Sequence, residues 1–275
     1  MKIITLIEDT PGLQGLHAEH GLCFYIETQK HHLLVDTGQS PKTWENASAL
    51  GVDLNSVDTV ILSHGHYDHS GGIASFAAVN PHAKIYMQRS AGADYYHTKS
   101  DGRHYIGIDK AVLALPQVVL LDGDLQIDEE LSLFTDIRGR NLWPAGNRAL
   151  CKKADDGSDT FVPDDFVHEQ CLVIREGGRT VLLSGCAHNG ILNILEKYRT
   201  LYGSDPDYVF SGFHMMQKDG YTEADISDIQ KTAEILSKGN AIYYTGHCTG
   251  MEAFELMKPI LGEKLRHIYP GYTVE

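Results

Sequence analysis

Three imidazoles and a carboxylate fall within six residues in the stretch Val60-Ile61-Leu62-Ser63-His64-Gly65-His66-Tyr67-Asp68-His69-Ser70-Gly71-Gly72. Imidazole and carboxylate together suit zinc, iron or manganese. A short apolar run, Val60 to Leu62, precedes them and reads as a buried strand. In extended backbone His64 and His66 point the same way. Asp68 and His69 follow where the chain must turn. A loop at a strand end can gather such side chains around one point.

The elements that must position these groups are strands ending in polar turns. Residues 2–8, 22–28 and 32–36 read as strands, the last ending in Asp36-Thr37-Gly38. Between the first two lies a glycine-rich loop with His17 and His20, read either as a flap or as plain surface. Residues 41–50 look helical, with Ser40 as cap and Pro41 at the first helical position. A helix over about 69–79 and a strand at 83–88 follow. Tyr95, Tyr96, His97, His104 and Tyr105 make an aromatic, histidine-rich segment suited to lining a pocket or to a dimer contact. Short β-like pieces come near 117–121, 125–127 and 131–134. From Asp136 to Asp165 little is periodic, and a loop of that length is functional or disordered. Its Arg138, Arg140, Arg148, Lys152 and Lys153 hint at an anionic substrate, against the reading of a solvated excursion. Strands at 169–175 and 180–184 form a hairpin. Three strands in a row then end in glycine followed by histidine: Gly185-Cys186-Ala187-His188, Gly212-Phe213-His214 and Gly246-His247-Cys248. Helices fall at about 189–201, 223–238 and 251–261, and the middle one has Thr222 as cap and a row at Ile226, Ile229, Ala233 and Leu236.

Composition bounds the classes. The 275 residues can bury a sizeable core in one large domain or two small ones. Apolar residues make up 42% and charged ones 22%, as in ordinary globular chains. No apolar run nears the roughly 20 residues that span a bilayer, and the N-terminus reads as a first strand rather than a signal peptide. The net charge of −14 argues against nucleic acid or an anionic membrane as partner. It leaves room for a phosphorylated small molecule, because bound cations set the local potential. Five cysteines without a Cys-x-x-Cys pair point to a reduced, cytoplasmic setting.

The His-x-His-x-Asp-His run resembles the signature of the metallo-β-lactamase superfamily. Taken with Leu34-Val35-Asp36-Thr37-Gly38-Gln39-Ser40, Ser184-Gly185-Cys186-Ala187-His188-Asn189-Gly190, Gly212-Phe213-His214 and Gly246-His247-Cys248-Thr249-Gly250, it resembles the branch labelled 7,8-dihydropterin-6-ylmethyl-4-(β-D-ribofuranosyl)aminobenzene 5′-phosphate synthase-like metal-dependent hydrolases. The resemblance implies an α/β fold, an αββα sandwich of two mixed β-sheets flanked by helices. It would be a single domain over residues 1–275, with an insertion or long loop region around 89–165. It also implies that His64 and His66 bind a first metal, that Asp68 and His69 bind a second, that His247 is the final ligand, and that Asp36 supports the site from behind. A third histidine normally completes the first set, and His168 fits its spacing. The family's bridging aspartate is replaced here by Cys186, so that either the Cys186 thiolate or His188 takes its place.

These expectations describe a metal-dependent hydrolase with one or two ions per chain, zinc first and manganese or iron as alternatives. A metal-bound hydroxide would attack a phosphoester or a related small-molecule centre. Asp68 would orient the nucleophile, and His214, a further candidate ligand, or a tyrosine of the 95–105 segment would protonate the leaving group or hold substrate. The partner would be a small molecule, with neither nucleic acid nor membrane involved, and the chain would be cytoplasmic and able to form a homodimer. The competing readings are a transferase in a methanopterin- or pterin-like pathway and a non-catalytic, metal-stabilised binding protein.

Overall fold

The structure is a computed structural model that describes residues 1–154, 156–217 and 220–275. Asp155, in the Gly/Asp-rich run, lies outside the described residues. In chain order the elements are β1 (Lys2–Ile7), β2 (Cys23–Glu27), β3 (His32–Val35), α1 (Lys42–Ala49), β4 (Thr59–Ile61), α2 (Tyr67–Ser70), α3 (Ile73–Val79) and β5 (Lys84–Gln88). They continue with β6 (Tyr95–Lys99), β7 (Gly102–Tyr105), β8 (Val118–Leu121), β9 (Leu125–Gln126), β10 (Leu131–Phe134), β11 (Leu150–Lys153), β12 (Phe161–Pro163), β13 (Cys171–Glu176) and β14 (Arg179–Ser184). The chain ends with α4 (Ile191–Tyr202), β15 (Tyr208–Ser211), α5 (Glu223–Ser237), β16 (Ile242–Thr245), α6 (Met251–Leu261), β17 (Leu265–His267) and β18 (Thr273–Val274).

Two seven-stranded sheets result, in the orders β18-β1-β2-β3-β4-β5-β8 and β17-β16-β15-β14-β13-β10-β9. Strands β3, β4, β5 and β8 are parallel, as are β14, β15, β16 and β17. Strands buried on both faces read as unbroken apolar runs, and Leu33-Leu34-Val35 and Val181-Leu182-Leu183 are such runs. Phe24, Leu33, Val35, Ile61, Leu133, Leu172, Leu183 and Phe210 form the layer between the sheets. Outside the first sheet, Leu34, Val60 and Ile85 pack against Ala47 of α1 and Ile73 and Phe76 of α3. Outside the second, Leu182, Val209 and Tyr243 pack against Leu195 of α4, Ala233 of α5 and Met257 of α6. The molecule is therefore the expected αββα sandwich.

Helix α5 starts where its sequence says it should. Thr222 and Asp225 exchange side-chain-to-backbone hydrogen bonds in a capping box. Two local expectations change. The helix at 69–79 is broken into α2 and α3 at Gly71-Gly72. Helix α1 begins at Lys42 after Pro41, while the Ser40 hydroxyl donates to Glu19 and accepts from the Lys42 amide. The region 89–165 carries a third sheet, in the order β12-β11-β6-β7. Strand β11 pairs with β6 across more than fifty residues of sequence, so no local hairpin signal announces it.

At the far end of β3 from Asp36, His31 ties the two sheets together. Its ring nitrogens lie 2.8 Å from Asp58 and 2.5 Å from Asp128. Burial opposes the charged ring, but the hydrogen bonds to the two carboxylates outweigh it and raise the pKa. A raised folded-state pKa gives stability that is fully present below the unfolded value of about 6.5 and fades as pH rises through the folded value. His31→Gln should therefore lower stability by about 1 kcal/mol or less near pH 5.5, after allowing for solvent screening. The loss should shrink at high pH in paired chemical denaturation curves.

Candidate metal centre

The parallel strands of both sheets run toward one edge of the sandwich, and there each ends in a polar turn. At the end of β3 the buried Asp36 carboxylate accepts from the Ser63 amide, the Ser63 hydroxyl and His69 Nδ1, each at 2.7 Å. Having donated to Asp36, the Ser63 hydroxyl accepts from His64 Nδ1 at 2.8 Å. This network places the protons of His64 and His69 on Nδ1 and leaves both Nε2 lone pairs facing the site.

The second sheet brings rings held in the same manner. His188 Nδ1 donates to Asn147 Oδ1 at 3.1 Å, and Asn147 Nδ2 donates to the His188 carbonyl at 2.7 Å. The buried Glu169 carboxylate accepts from the backbone amides of His188 and Asn189. Phe166 stacks parallel to the His188 ring at 4.6 Å. Past β16, His247 Nδ1 lies 2.6 Å from Asp9 Oδ1, and its amide donates to Glu8 at 2.5 Å. Asp36, Ala187, His214 and His247 all have φ between 50° and 60°. Backbone strain of this kind persists only where surrounding contacts over-determine it, and it gathers at functional sites.

Two groups of donors result. The Nε2 atoms of His64, His66 and His188 are buried without a hydrogen-bond partner. These three residues offer ligand atoms within 4.8 Å of one another. Burial, then the neighbouring imidazoles, holds His64 and His188 far below the usual range, and burial brings His66 down to about 3. The three rings are therefore neutral, with free lone pairs. Beside them, His69 Nε2 stands 3.2 Å from His247 Nε2 and 3.1 Å from Cys186 Sγ. Asp68 Oδ2 is 3.5 Å from His69 Nε2 and 3.4 Å from His247 Nε2. Ligand bonds of about 2.0–2.1 Å in a tetrahedron put donors ~3.3 Å apart, close to these spacings. Burial works against a charged His69, yet Asp36 and Asp68 raise its pKa to about 9. With Nδ1 protons already on Asp36 and Asp9, two neutral rings would aim lone pairs at each other, so a proton or a cation has to lie between them. Both groups fit a divalent metal ion.

The sequence-predicted residues fare differently. His64, His66, Asp68, His69, Cys186, His188 and His247 converge, with Asp36 directly behind His69. Cys186 and His188 both reach the cluster: the thiol groups with His64 and His69 and also with His188 and His214, while the His188 imidazole groups with His64 and His66 as well. The expectation for His168 is corrected. Its Nδ1 accepts from the Gly65 amide at 2.9 Å and its Nε2 lies 3.2 Å from the buried Asp164. Both nitrogens are engaged, so it braces the His64-Gly65-His66 backbone instead of offering a lone pair. His214 sits at the rim, its ring 4.1 Å from His188, with a buried, unpartnered Nδ1. Tyr95 packs on His168 and gives its hydroxyl to the Ser90 carbonyl.

The cations of the 138–153 segment are mostly engaged. Arg138 pairs with Asp136, Lys152 with Asp165 and Lys153 with Asp159. Arg140 covers Trp143 and donates to the Ile137 and Gly139 carbonyls. The segment serves the site through Asn147. Sequence reasoning missed Asn147, Glu169, Glu8 and Asp9, and left His20 in a loop read as a flap or as plain surface. The Glu8-Asp9 pair at the end of β1 was the one available signal. Asp9 holds both His247 and His20, and His20 Nε2 is 3.4 Å from Asp68.

Comparison with known proteins agrees with this architecture. The family model described as the metallo-β-lactamase superfamily matches residues 18–247. An uncharacterised protein of Methanocaldococcus jannaschii is 27% identical over 255 residues, covering 91% of this chain and 92% of the relative. The 7,8-dihydropterin-6-methyl-4-(β-D-ribofuranosyl)-aminobenzene-5′-phosphate synthase of the same organism is 27% identical over 303 residues, covering 100% of this chain and 96% of the relative. A crystal structure described as a metal-dependent hydrolase of the β-lactamase superfamily superposes with a TM-score of 0.82 at 27% identity, covering 100% of this chain and 98% of that one. A metallo-β-lactamase fold protein from Bacillus subtilis shares the fold, with a TM-score of 0.57 at 15% identity and coverage of 100% and 99%. With its strand-end histidines gathered at one edge of an αββα sandwich, the chain belongs to the metallo-β-lactamase superfamily, whose members are mostly metal-dependent hydrolases.

Proposed function

We propose that the chain is a metal-dependent hydrolase with two adjacent metal positions, zinc being the preferred ion. The observation that carries this reading is the set of three buried, unpartnered Nε2 atoms on His64, His66 and His188. Leaving a buried polar atom unsatisfied costs about 1–3 kcal/mol each, and a ligand bond removes that cost. His64, His66 and His188 would hold one ion, and Asp68, His69, Cys186 and His247 the other. When bound, such ions supply Lewis acidity and a water of lowered pKa.

The chain's own groups do the rest. Asp36 keeps the His69 proton on Nδ1, and Asp9 does the same for His247. Asp68 orients the attacking group. His214, half-buried beside His188 at the rim, holds substrate or gives a proton to the leaving group. The substrate is a small ester-type molecule. A phosphoester keeps its support from the paired metal positions, which suit displacement at phosphorus, and not from the basic segment, whose charges are largely spent on neighbouring aspartates. The unpaired state of all five cysteines supports a reducing, cytoplasmic setting. Among the described residues no helix is long and apolar enough to cross a membrane.

One observation favours a second reading. The full-length relative from M. jannaschii bears the name of a synthase, not of a hydrolase. Product analysis with a phosphoribosyl donor and an aromatic amine separates a transferase from a hydrolase.

The deciding experiment is metal content alongside turnover of phosphoester, lactone and thioester panels. About two ions per chain are expected, with His66→Ala and His188→Ala each losing one ion and at least ~100-fold in kcat. A metal-loaded chain that turns over none of the panels defeats the hydrolase reading. His168→Ala should behave differently: it should unfold at lower temperature, because Asp164 loses its partner, yet keep its metal stoichiometry.

The two positions should also differ in proton linkage. His64, His66 and His188 are neutral at pH 7 and bind without releasing protons. His69, with a pKa raised to about 9, must lose a proton first. The Cys186 thiol, pushed up by burial, must lose its proton as well, so affinity at that second position should keep rising with pH through about 9 and beyond. Calorimetry in buffers of differing ionisation heat should show proton release confined to the second equivalent of metal.

A further inference from the structure

Four cysteines are buried, and they lie in two kinds of surroundings. Cys23 packs in the apolar layer with Leu34 and Val60, and Cys171 packs with Phe134, Val173 and Leu182. Both behave as small hydrophobes. Cys186 and Cys248 are about as deeply buried, at 3% and 4% exposure. Neither belongs to an apolar cluster among the described residues. They lie among the imidazoles at the ends of β14 and β16.

Their sulfurs and a ring nitrogen of His247 fall within 4.8 Å of one another. Cys186 Sγ already touches His69 Nε2 at 3.1 Å. The Cys248 thiol donates to the Cys186 carbonyl at 3.7 Å, and its sulfur interacts with Cys186, His247 and His214. The intervening strand end makes room for it, since a Cβ at Gly212 would collide with the Cys248 sulfur. A bare backbone position there is what a sulfur aimed into the site requires.

We propose that Cys248 is a second sulfur donor of the metal centre. The wall built by β14–β16 then offers two thiols, Cys186 and Cys248, beside the His247 imidazole. Thiolates select thiophilic ions such as zinc or cadmium over manganese or magnesium, which prefer oxygen. The centre therefore discriminates by ligand softness on one side, where an aspartate would accept harder ions. This inference rests on reading the cluster as a metal centre and not on the reaction catalysed there.

The test is X-ray absorption on the zinc-loaded, full-length protein, with sulfur scatterers per zinc multiplied by the measured zinc content. Two sulfurs per chain at about 2.3 Å are expected, falling to one in Cys248→Ser and one in Cys186→Ser. Cobalt loading gives an independent reading, in which the near-ultraviolet sulfur-to-cobalt band should fall to about half in each variant and vanish in the double variant. One sulfur per chain in the wild type, or an unchanged band in Cys248→Ser, overturns the proposal. The wild-type count stands even where a variant fails to fold. Hydrolysis measured on the same samples keeps the two readings apart: two sulfurs without turnover uphold the thiol assignment and sink the hydrolase, and one sulfur with turnover does the reverse.

Discussion

The site depends on one buried carboxylate. Asp36 has no exposed surface, and it accepts three hydrogen bonds from two neighbouring segments of chain. Those bonds hold its backbone at a φ of 60°, which a side-chain-bearing residue adopts only under constraint. Through Ser63 it fixes the His64 ring, and directly it fixes the His69 ring, so a single charge sets two tautomers. The second sheet presses close above it, since a Cβ on Gly185 would strike the Ser63 hydroxyl. The relative position of the two sheets and the direction of the open nitrogens are thus settled at one point.

The same logic is repeated around the site. Asn147 stands behind His188, Asp9 behind His247, and Glu169 beneath the turn that carries His188. The oxygens of Asn147 and Asp9 take the proton of the ring nitrogen that faces away and so leave the inward nitrogen bare, while Glu169 fixes the turn through its backbone amides. The apolar layers contribute by holding both sheets rigid up to their last residue. From there on, hydrogen bonds take over from packing. The consequence is a pocket wall whose polar atoms are fixed in direction before anything binds.

Much of this was legible in the sequence because it is local. The His-x-His-x-Asp-His run lies in six consecutive residues, and the glycine-then-histidine endings of β14, β15 and β16 follow directly from their apolar strands. The sandwich followed from the resemblance those motifs carry. What stayed hidden is what depends on distant pairing. Asp9 and His247 are 238 positions apart, and Asn147 and His188 are 41 apart. No spacing rule reaches across such gaps. His168 shows the complementary failure: its type and position in the chain fit a ligand, but the direction of its two nitrogens was decided by Gly65 and Asp164. The sheet of β6, β7, β11 and β12 stayed hidden in part for a similar reason: β6–β7 and β11–β12 pair locally, but the β6–β11 pairing that joins them spans more than fifty residues.

The clasp between Asp9 and His247 bears on how the protein is made. Glu8 and Asp9 lie 239 and 238 positions before His247, and these two distant segments meet there. Contacts so far apart in sequence form late, because the loop they close must be ordered first. His64, His66 and His188 require no residue beyond β14 and its turn. The half of the centre built by His64, His66 and His188 can therefore form first, and the half that holds His247 is completed only when the segments 238 positions apart close on each other.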